Sequence, residues 1–125
     1  MTGEVTTERL RALLEAFNMH DLDLIMSFFA DSCVLEMPRG RDPWGTRYTG
    51  KAEVRAGLAT RFAGLPDVHY DQDEHWVCGE HAVSKWRLRG TTSEGRRVEV
   101  RGCDLLDFKD GQCTRKDAYW KIVEL

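Results

Sequence analysis

The 125-residue sequence lacks the features that mark several classes of protein. No stretch comes near the ~20 consecutive apolar residues that a membrane-spanning helix needs. There is no basic excess, since 18 Lys and Arg residues face 21 Asp and Glu residues, and the net charge of -3 argues against a nucleic-acid partner. The N-terminal residues MTGEVTTERL show no basic start followed by an apolar stretch, so we expect no secretory signal and a cytoplasmic protein.

The sequence lacks any cysteine spacing typical of a zinc knuckle. The four cysteines are Cys33, Cys78, Cys103 and Cys113, and no two of them stand in a CxxC spacing. Each falls in a predicted strand, which favours reduced thiols inside a cytosolic protein. The sequence therefore indicates neither a metal nor an organic cofactor.

Apolar residues make up 42% of the chain, and the length fits a single domain over residues 1–125. Helical spacing of apolar residues predicts three N-terminal helices. Their apolar faces carry Leu10, Leu13, Leu14 and Phe17; Leu22, Ile25, Met26 and Phe29; and Val54, Leu58 and Phe62. The boundary signals are Thr6 or Thr7, Asn18 to Asp21, Asp31-Ser32, Thr49-Gly50, and Gly64 with Pro66.

The remaining sequence is typical of strands separated by hairpin turns. A short strand is predicted over Cys33–Met37, and four longer ones over 68–78, 81–91, 96–108 and 112–123. The turns between them are Gly79-Glu80, Ser93-Glu94-Gly95 and Lys109-Asp110-Gly111. Helices followed by a long antiparallel meander predict the α+β class.

Alternation in the strand 96–108 places Asp104 on its apolar face, which should point toward the core. A two-residue turn at Asp110-Gly111 would join this face to a charged face of the last strand. A three-residue loop that includes Lys109 matches apolar faces instead, so we predict that loop. In that register Val100 lies opposite Trp120, Gly102 opposite Ala118, and Asp104 opposite Lys116.

The preceding hairpin extends this polar row. A Ser93-Glu94-Gly95 loop sets Trp86 over Gly102 and Ser84 opposite Asp104. Beyond Ser84 two registers stay open, one bringing His75 next to Ser84 and the other bringing Glu74.

A carboxylate among apolar side chains loses solvation, which favours its protonated form, whereas the ammonium group of Lys116 favours the charged form. Asp104 and Lys116 could therefore be an acid–base pair that handles a proton on a ligand, or a structural salt bridge. Ser84, His75 and Asp104 could also form a triad, but no nucleophile-elbow motif supports it.

Two further groups are weaker candidates. One strand face carries His69, Asp71, Asp73 and His75, which could bind a metal but is more simply an exposed charged face. Trp44 lies in a loop that also carries Arg39, Arg41, Asp42 and Arg47. That loop is either solvated or a lid over an anionic ligand.

Several short motifs resemble the nuclear transport factor 2-like superfamily. They are Asn18-Met19-His20-Asp21-Leu22-Asp23, Phe29-Ala30-Asp31-Ser32-Cys33 and Gly50-Lys51. The C-terminal motifs Gly102-Cys103-Asp104, Asp110-Gly111 and Ala118-Tyr119-Trp120-Lys121 resemble its SnoaL-like and ketosteroid isomerase-like branch. The resemblance implies a cone-shaped fold, with a curved mixed or antiparallel sheet wrapped by three helices around an apolar pocket. It also implies a homodimer joined through the outer sheet face.

The resemblance carries over only part of any known site. Asp104 matches the oxyanion-hole Asp of ketosteroid isomerases, and Trp120 matches a pocket Trp. Met37 stands where that family has its base, and Leu13 where it has its oxyanion Tyr, which argues against steroid isomerisation. Lys121 follows Trp120 where SnoaL-type cyclases have their acid–base Asp. Phe17-Asn18 replaces the Tyr-Asp pair of scytalone dehydratases.

We therefore expect a protein that binds a small hydrophobic molecule and acts as an isomerase, cyclase, dehydratase or lyase. Asp104 would be the acid–base or oxyanion group, Lys116 its modulator or a ligand for an anion, and Ser84 a hydrogen-bond partner. The predicted ligand-binding residues are Leu13, Phe17, Met37, Trp44, Leu58, Phe62, Trp86, Gly102, Ala118 and Trp120. The alternatives are a non-catalytic ligand-binding module and a protein-interaction domain that uses the outer sheet face.

Overall fold

The computed structural model describes residues 5–124 and has the predicted α+β architecture. The elements in chain order are α1 (Thr7–Asn18), α2 (Leu22–Met26), β1 (Phe29–Glu36), β2 (Arg47–Thr49), α3 (Lys51–Gly64), β3 (His69–Cys78), β4 (His81–Thr91), β5 (Arg97–Lys109) and β6 (Gln112–Trp120). The strands form one curved sheet in the order β2-β1-β6-β5-β4-β3. The sheet is mixed, because β1 runs parallel to β6 while the other neighbours are antiparallel.

Both predicted helix caps form. The hydroxyl of Thr6 accepts a hydrogen bond from the Arg9 amide at 3.1 Å, and the Asp21 carboxylate accepts one from the Leu24 amide at 3.0 Å. The prediction that α2 continues through Phe29 is wrong. Phe29 is instead the first residue of β1, where it is fully buried and pairs with Cys113 of β6. A helix as short as α2 gains few hydrogen bonds from one more residue, so pairing in the sheet is favoured at this position.

The first predicted strand is also too short, since β1 spans eight residues and begins before Cys33. Strand β2 has no counterpart in the sequence prediction. It comprises three residues, none of them buried, paired with the end of β1. Three residues are too few for alternation to reveal a strand.

The predicted register between β4 and β5 is confirmed. Ser84 pairs with Asp104, Trp86 with Gly102, and Leu88 with Val100. The Trp86 ring lies against the bare Cα of Gly102, where an added Cβ would be only 2.8 Å from the ring. A large ring opposite a glycine therefore fixes this part of the concave sheet face.

The predicted register between β5 and β6 is wrong by two residues. The turn contains only Asp110 and Gly111, both at positive φ, as a two-residue hairpin turn of type I′ requires. An extra residue in β6, Thr114, then forms a bulge whose hydroxyl donates to the Asp107 carbonyl at 3.2 Å. The bulge restores the predicted match of faces, which the two-residue turn alone would have reversed.

This bulge changes the partners that were predicted for β5. Asp104 lies opposite Ala118, and Lys116 lies opposite Leu106. Gly102 lies opposite Trp120, so the predicted pairs of Gly102 with Ala118 and Val100 with Trp120 do not form. All these residues still lie on the predicted face, because a shift of two residues preserves the alternation.

A second bulge, in β3, separates the residues of the suggested metal-binding face. The pairing shifts between Asp71 and Glu74, and Gln72 there has a φ of 54°. His69 and Asp71 therefore lie opposite arginines of β4 on the outer face of the sheet. His75 lies opposite Ser84 on the inner face. The prediction that these residues share one face is wrong, because the inserted residue reverses the alternation.

The core lies between the helices and the concave sheet face. Leu10, Ile25, Leu35, Val54, Leu58 and Leu88 are among its fully buried members. The four cysteines are free thiols, with Cys33 and Cys113 in this core. Within residues 5–124, no helix has both the length and the apolar character needed to cross a membrane.

Candidate functional site

An ion pair between Asp104 and Lys116 lies on the inner face of the sheet. Lys116 Nζ donates to Asp104 Oδ1 at 2.8 Å, and the side chains are only 8% and 6% exposed. The two residues are diagonal neighbours across β5 and β6, and the long lysine side chain spans that offset. The predicted pair therefore forms even though the two residues are not directly opposite.

Trp86 completes the surroundings of the Asp104 carboxylate. Its indole Nε1 donates to Asp104 Oδ2 at 3.0 Å, so each carboxylate oxygen has one donor from the protein. Within residues 5–124, every buried side-chain nitrogen and oxygen has a hydrogen-bond partner. The carboxylate is thus held in one orientation by an ammonium and an indole, both largely shielded from water.

Aromatic rings surround the pair. The ammonium of Lys116 lies 5.2 Å from the centroid of Phe17, and Tyr70 meets Trp86 edge-on at 5.1 Å. Burial raises the pKa of the Tyr70 hydroxyl, while the positive charges of Lys116 and Arg61 oppose the rise. The phenol therefore stays neutral and can donate a hydrogen bond next to the ion pair.

Ser84 belongs to a second buried network beside Asp104. Its Oγ lies 2.8 Å from His75 Nδ1, and His75 Nε2 lies 2.7 Å from Asp73 Oδ2. The His75 side chain is 1% exposed, whereas Asp73 is 32% exposed. The open choice between His75 and Glu74 is thus decided for His75. The carboxylate that contacts His75 is that of Asp73, and Asp104 does not complete a triad.

The residues predicted to line a pocket are distributed between the core and its edge. Leu13, Phe17, Leu58, Trp86 and Ala118 are buried, whereas Met37, Phe62, Gly102 and Trp120 are partly exposed. Phe17 and Phe62 are in contact, with ring centroids 6.3 Å apart. Exposure on the concave face therefore decreases from Trp120, which is partly exposed, toward Asp104, which is 4% exposed.

Two arginines flank the Trp120 ring, a contact that was not predicted from the sequence. The guanidinium carbon of Arg61 lies 4.7 Å from the ring centroid and that of Arg39 lies 5.6 Å from it. Arg61 lies three residues after the buried Leu58 in α3. This helical spacing is the signal in the sequence that could have predicted that Arg61 faces the sheet. Arg39 was predicted only as part of the Trp44 loop.

Trp44 lies away from the ion pair. Its ring packs against the Arg47 guanidinium at 4.4 Å, and it lines a cleft of about 340 Å³ with Glu36, Asp117 and Tyr119. Glu36 is 5% exposed and pairs with Arg47 at 2.7 Å and Arg115 at 2.9 Å. Of the other predicted ligand-binding residues, Met37 and Ala118 also line this cleft.

Metal-binding geometry is absent from the part of the chain that the structure describes. No three His, Cys, Asp or Glu side chains there are grouped so that they could hold an ion. The chemistry available around Asp104 is that of a carboxylate, an ammonium, an indole and two hydroxyl groups. These groups can hold and move protons and can bind polar atoms of a ligand.

The chain resembles known proteins in both sequence and fold. The family model of the SnoaL-like domain matches residues 10–116. No curated protein sequence matches the chain.

Solved structures match over nearly the whole chain. A protein from Xanthomonas campestris pv. campestris, provisionally named a polyketide cyclase, has a TM-score of 0.81 and 21% identity over 92% of this chain and 89% of its own. A nuclear transport factor 2-like protein of unknown function from Mesorhizobium loti has a TM-score of 0.74 and 28% identity over 93% and 90%. TerC, co-crystallised with polyporic acid, has a TM-score of 0.79 and 20% identity over 92% and 90%.

Proposed function

The chain belongs to the SnoaL-like domain family, and from this premise we propose that it binds a small hydrophobic molecule and transfers a proton on it at Asp104. The observation that carries the proposal is the Asp104–Lys116 ion pair, buried on the concave sheet face at 2.8 Å. A charge pair in such surroundings is costly to maintain, and groups of this kind are enriched at functional sites.

Each residue near the pair has a distinct role in the proposal. Asp104 accepts a proton from a carbon or oxygen of the ligand and returns it at a second position. As the proton moves to Asp104, its carboxylate becomes neutral and negative charge develops on the ligand. Lys116 and Trp86, which donate to the charged carboxylate, then turn their N–H groups to the ligand and stabilise that charge. Ser84, directly opposite Asp104, supplies a hydrogen bond to the ligand. The reaction class is isomerisation, cyclisation, dehydration or elimination.

Two structural relatives support the ligand class. One is provisionally named a polyketide cyclase, and another was crystallised with polyporic acid, which makes that compound a suitable first probe. We expect polyporic acid to raise the melting temperature of the protein. A crystal structure should place a ligand oxygen within hydrogen-bond reach of Asp104, and a ligand bound only elsewhere would count against the proposal.

Proton transfer can be tested with a simple ketone. We expect the protein to accelerate loss of deuterium from the α-carbon of deuterated 2-tetralone, followed by NMR. Asp104→Asn should reduce the rate by about 10²-fold or more, the usual scale for a general base. Asp107→Asn is the matched control, because Asp107 lies on the same strand, is 43% exposed and pairs with His81. Equal rates for Asp104→Asn and wild type would refute a role for Asp104.

A second function, ligand binding without catalysis, is favoured by one observation. Both Asp104 oxygens already have protein donors, which suits a structural ion pair. In that case the wild type would not exchange deuterium from any ketone, and Asp104→Asn would bind polyporic acid as tightly as the wild type does.

We further propose a homodimer formed through the outer sheet face in the cytoplasm. Trp76, Leu105 and Tyr119 on this face are 50%, 43% and 52% exposed, and a second copy would cover these apolar side chains. The free cysteines fit a reducing compartment. Light scattering should give twice the monomer mass for the wild type and the monomer mass for Leu105→Glu. A monomeric wild type would exclude the dimer.

A further inference from the structure

We propose that the cleft next to Trp120 binds the acidic group of an amphipathic carboxylate, with the carboxylate held by Arg39 and Arg96. The proposal rests on the proposed function, because it specifies the substrate class as an anion with an apolar body. The cleft has a volume of about 420 Å³, within the usual range of small-molecule sites. Its lining comes from the loop after β1, the start of β5 and the segment after β6.

The charge of the cleft differs in sign from that of the whole protein. Four cationic side chains line it, and Glu99 is its single carboxylate. The cations are Arg39, Arg96, Arg97 and Lys121. The chain as a whole carries a net charge of -3, so this positive cluster is a local feature that would attract an anion.

Internal ion pairing does not neutralise this cluster. Among residues 5–124, none of these four cations lies within 4.0 Å of a carboxylate oxygen. Glu99 instead lies 3.6 Å from Arg87, outside the cleft. An arginine without a carboxylate partner presents a planar fork of donors, which suits two-point binding of a ligand carboxylate.

The walls of the cleft require an apolar ligand body. The apolar part of its lining consists of Val98, Val100, Trp120, Ile122 and Val123. Ile122 is 88% exposed and Val123 is 60% exposed, so two aliphatic side chains face solvent beside the cationic groups. An inorganic anion would leave these walls uncovered, whereas a neutral hydrophobic molecule would leave the arginines unpaired.

Trp120 links this cleft to the ion pair deeper in the sheet. Its ring lines the cleft and also packs against Arg61, which is hydrogen-bonded to Tyr70, and the Tyr70 hydroxyl is also influenced by the charge of Lys116. A ligand anchored by its carboxylate at Arg39 would therefore direct its apolar end along Trp120 toward Asp104. The anion site would set which carbon of the substrate reaches the acid–base group.

The experiment compares 2-naphthoate with the neutral 2-naphthylmethanol by isothermal titration calorimetry. We expect the wild type to bind the acid at least about tenfold more tightly than the alcohol, and added salt to reduce the difference. Arg39→Gln and Arg96→Gln should each weaken binding of the acid by about tenfold while leaving the alcohol unchanged. Arg101→Gln is the matched control, because Arg101 is exposed on β5 and does not line the cleft.

The outcomes separate this proposal from the proposed function. If Asp104→Asn loses deuterium exchange but keeps its affinity for 2-naphthoate, the anion site and the acid–base group are distinct, as proposed. If the wild type does not exchange deuterium but the two arginine variants bind 2-naphthoate more weakly, the cleft proposal is supported and the proposed proton transfer is not. Equal binding of acid and alcohol, or unchanged binding in Arg39→Gln and Arg96→Gln, would overturn it. So would conversion of a dimer into a monomer by Ile122→Glu, since a second copy would then cover the cleft.

Discussion

Two carboxylate–cation pairs lie on opposite faces of the same sheet. On the inner face, Lys116 makes a single 2.8 Å hydrogen bond to Asp104, and both side chains are less than 10% exposed. On the outer face, Arg87 holds Asp71 through two hydrogen bonds of 2.8 Å, and about a quarter of each side chain is exposed. The outer pair has the better hydrogen-bond geometry, yet we expect the inner pair to matter more.

The difference follows from solvation. A partner removed from the outer pair leaves a charge that water can solvate, so the loss is small. A partner removed from the inner pair leaves a charge among Phe17, Tyr70 and Trp86, where water does not replace the lost interaction. Burial, more than the number of hydrogen bonds, therefore decides how much the protein depends on each pair.

The largest effect should come from breaking the inner pair. Asp104→Asn, or Lys116→Met, should lower the free energy of unfolding by about 3–5 kcal/mol, because each leaves an unpaired buried charge. The double variant should recover most of this loss, since it leaves no charge unpaired. Urea denaturation of the three variants measures the effect. Additive losses in the double variant would contradict the assignment of a coupled buried pair.

The next largest effect should come from filling the space that lets Trp86 reach Asp104. In Gly102→Ala the new methyl group would meet the Tyr119 carbonyl and lie 2.8 Å from the Trp86 ring, so the stability should fall by about 1–3 kcal/mol. Gly64→Ala is the control, because a Cβ at that position meets nothing within 4 Å. Thermal unfolding that is equal in both variants would show that the close contact is not required.

A smaller effect is expected from the outer pair, and it should depend on pH. Hydrogen bonds from Arg87 hold the pKa of Asp71 below its ordinary value. The carboxylate therefore stabilises the fold fully above the ordinary carboxyl pKa of about 4, and this contribution is lost as the pH falls through the lowered value. Asp71→Asn should lower the urea midpoint at pH 7 but not under strongly acidic conditions. A midpoint difference that is independent of pH would exclude this origin.

The smallest effect should have the opposite sign. Burial and the negative charge of Glu36 raise the pKa of Asp117, although a hydrogen bond from Tyr119 opposes the rise. A raised carboxyl pKa means that stability is greatest below the ordinary value and falls as the pH rises through the raised value. Asp117→Asn should therefore slightly raise the urea midpoint at pH 7. A lowered midpoint would show that the charged form of Asp117 is favourable to the fold.

Much of the inner site could be predicted because it depends on local alternation. The apolar pattern of β5 places Asp104 inside, and the three-residue hairpin loop before it sets Ser84 and Trp86 beside it. Helix caps at Thr6 and Asp21 are likewise local, since one side chain satisfies an amide three residues away. The prediction that the apolar faces of β5 and β6 lie on the same side of the sheet was also correct. The predicted length of the loop between them and the predicted pairs of directly opposed residues were wrong.

The sequence by itself determined the α+β order, the faces of β4 and β5 and the inward position of Asp104, because these follow from spacing within a few residues. Only the tertiary structure decided the bulges at Thr114 and Gln72, the inward turn of His75 and the stacking of Arg39 and Arg61 on Trp120. A bulge inserts one residue without changing the composition around it. Its position is set by which faces of neighbouring strands must be buried together, and that energy exists only once the whole sheet has formed.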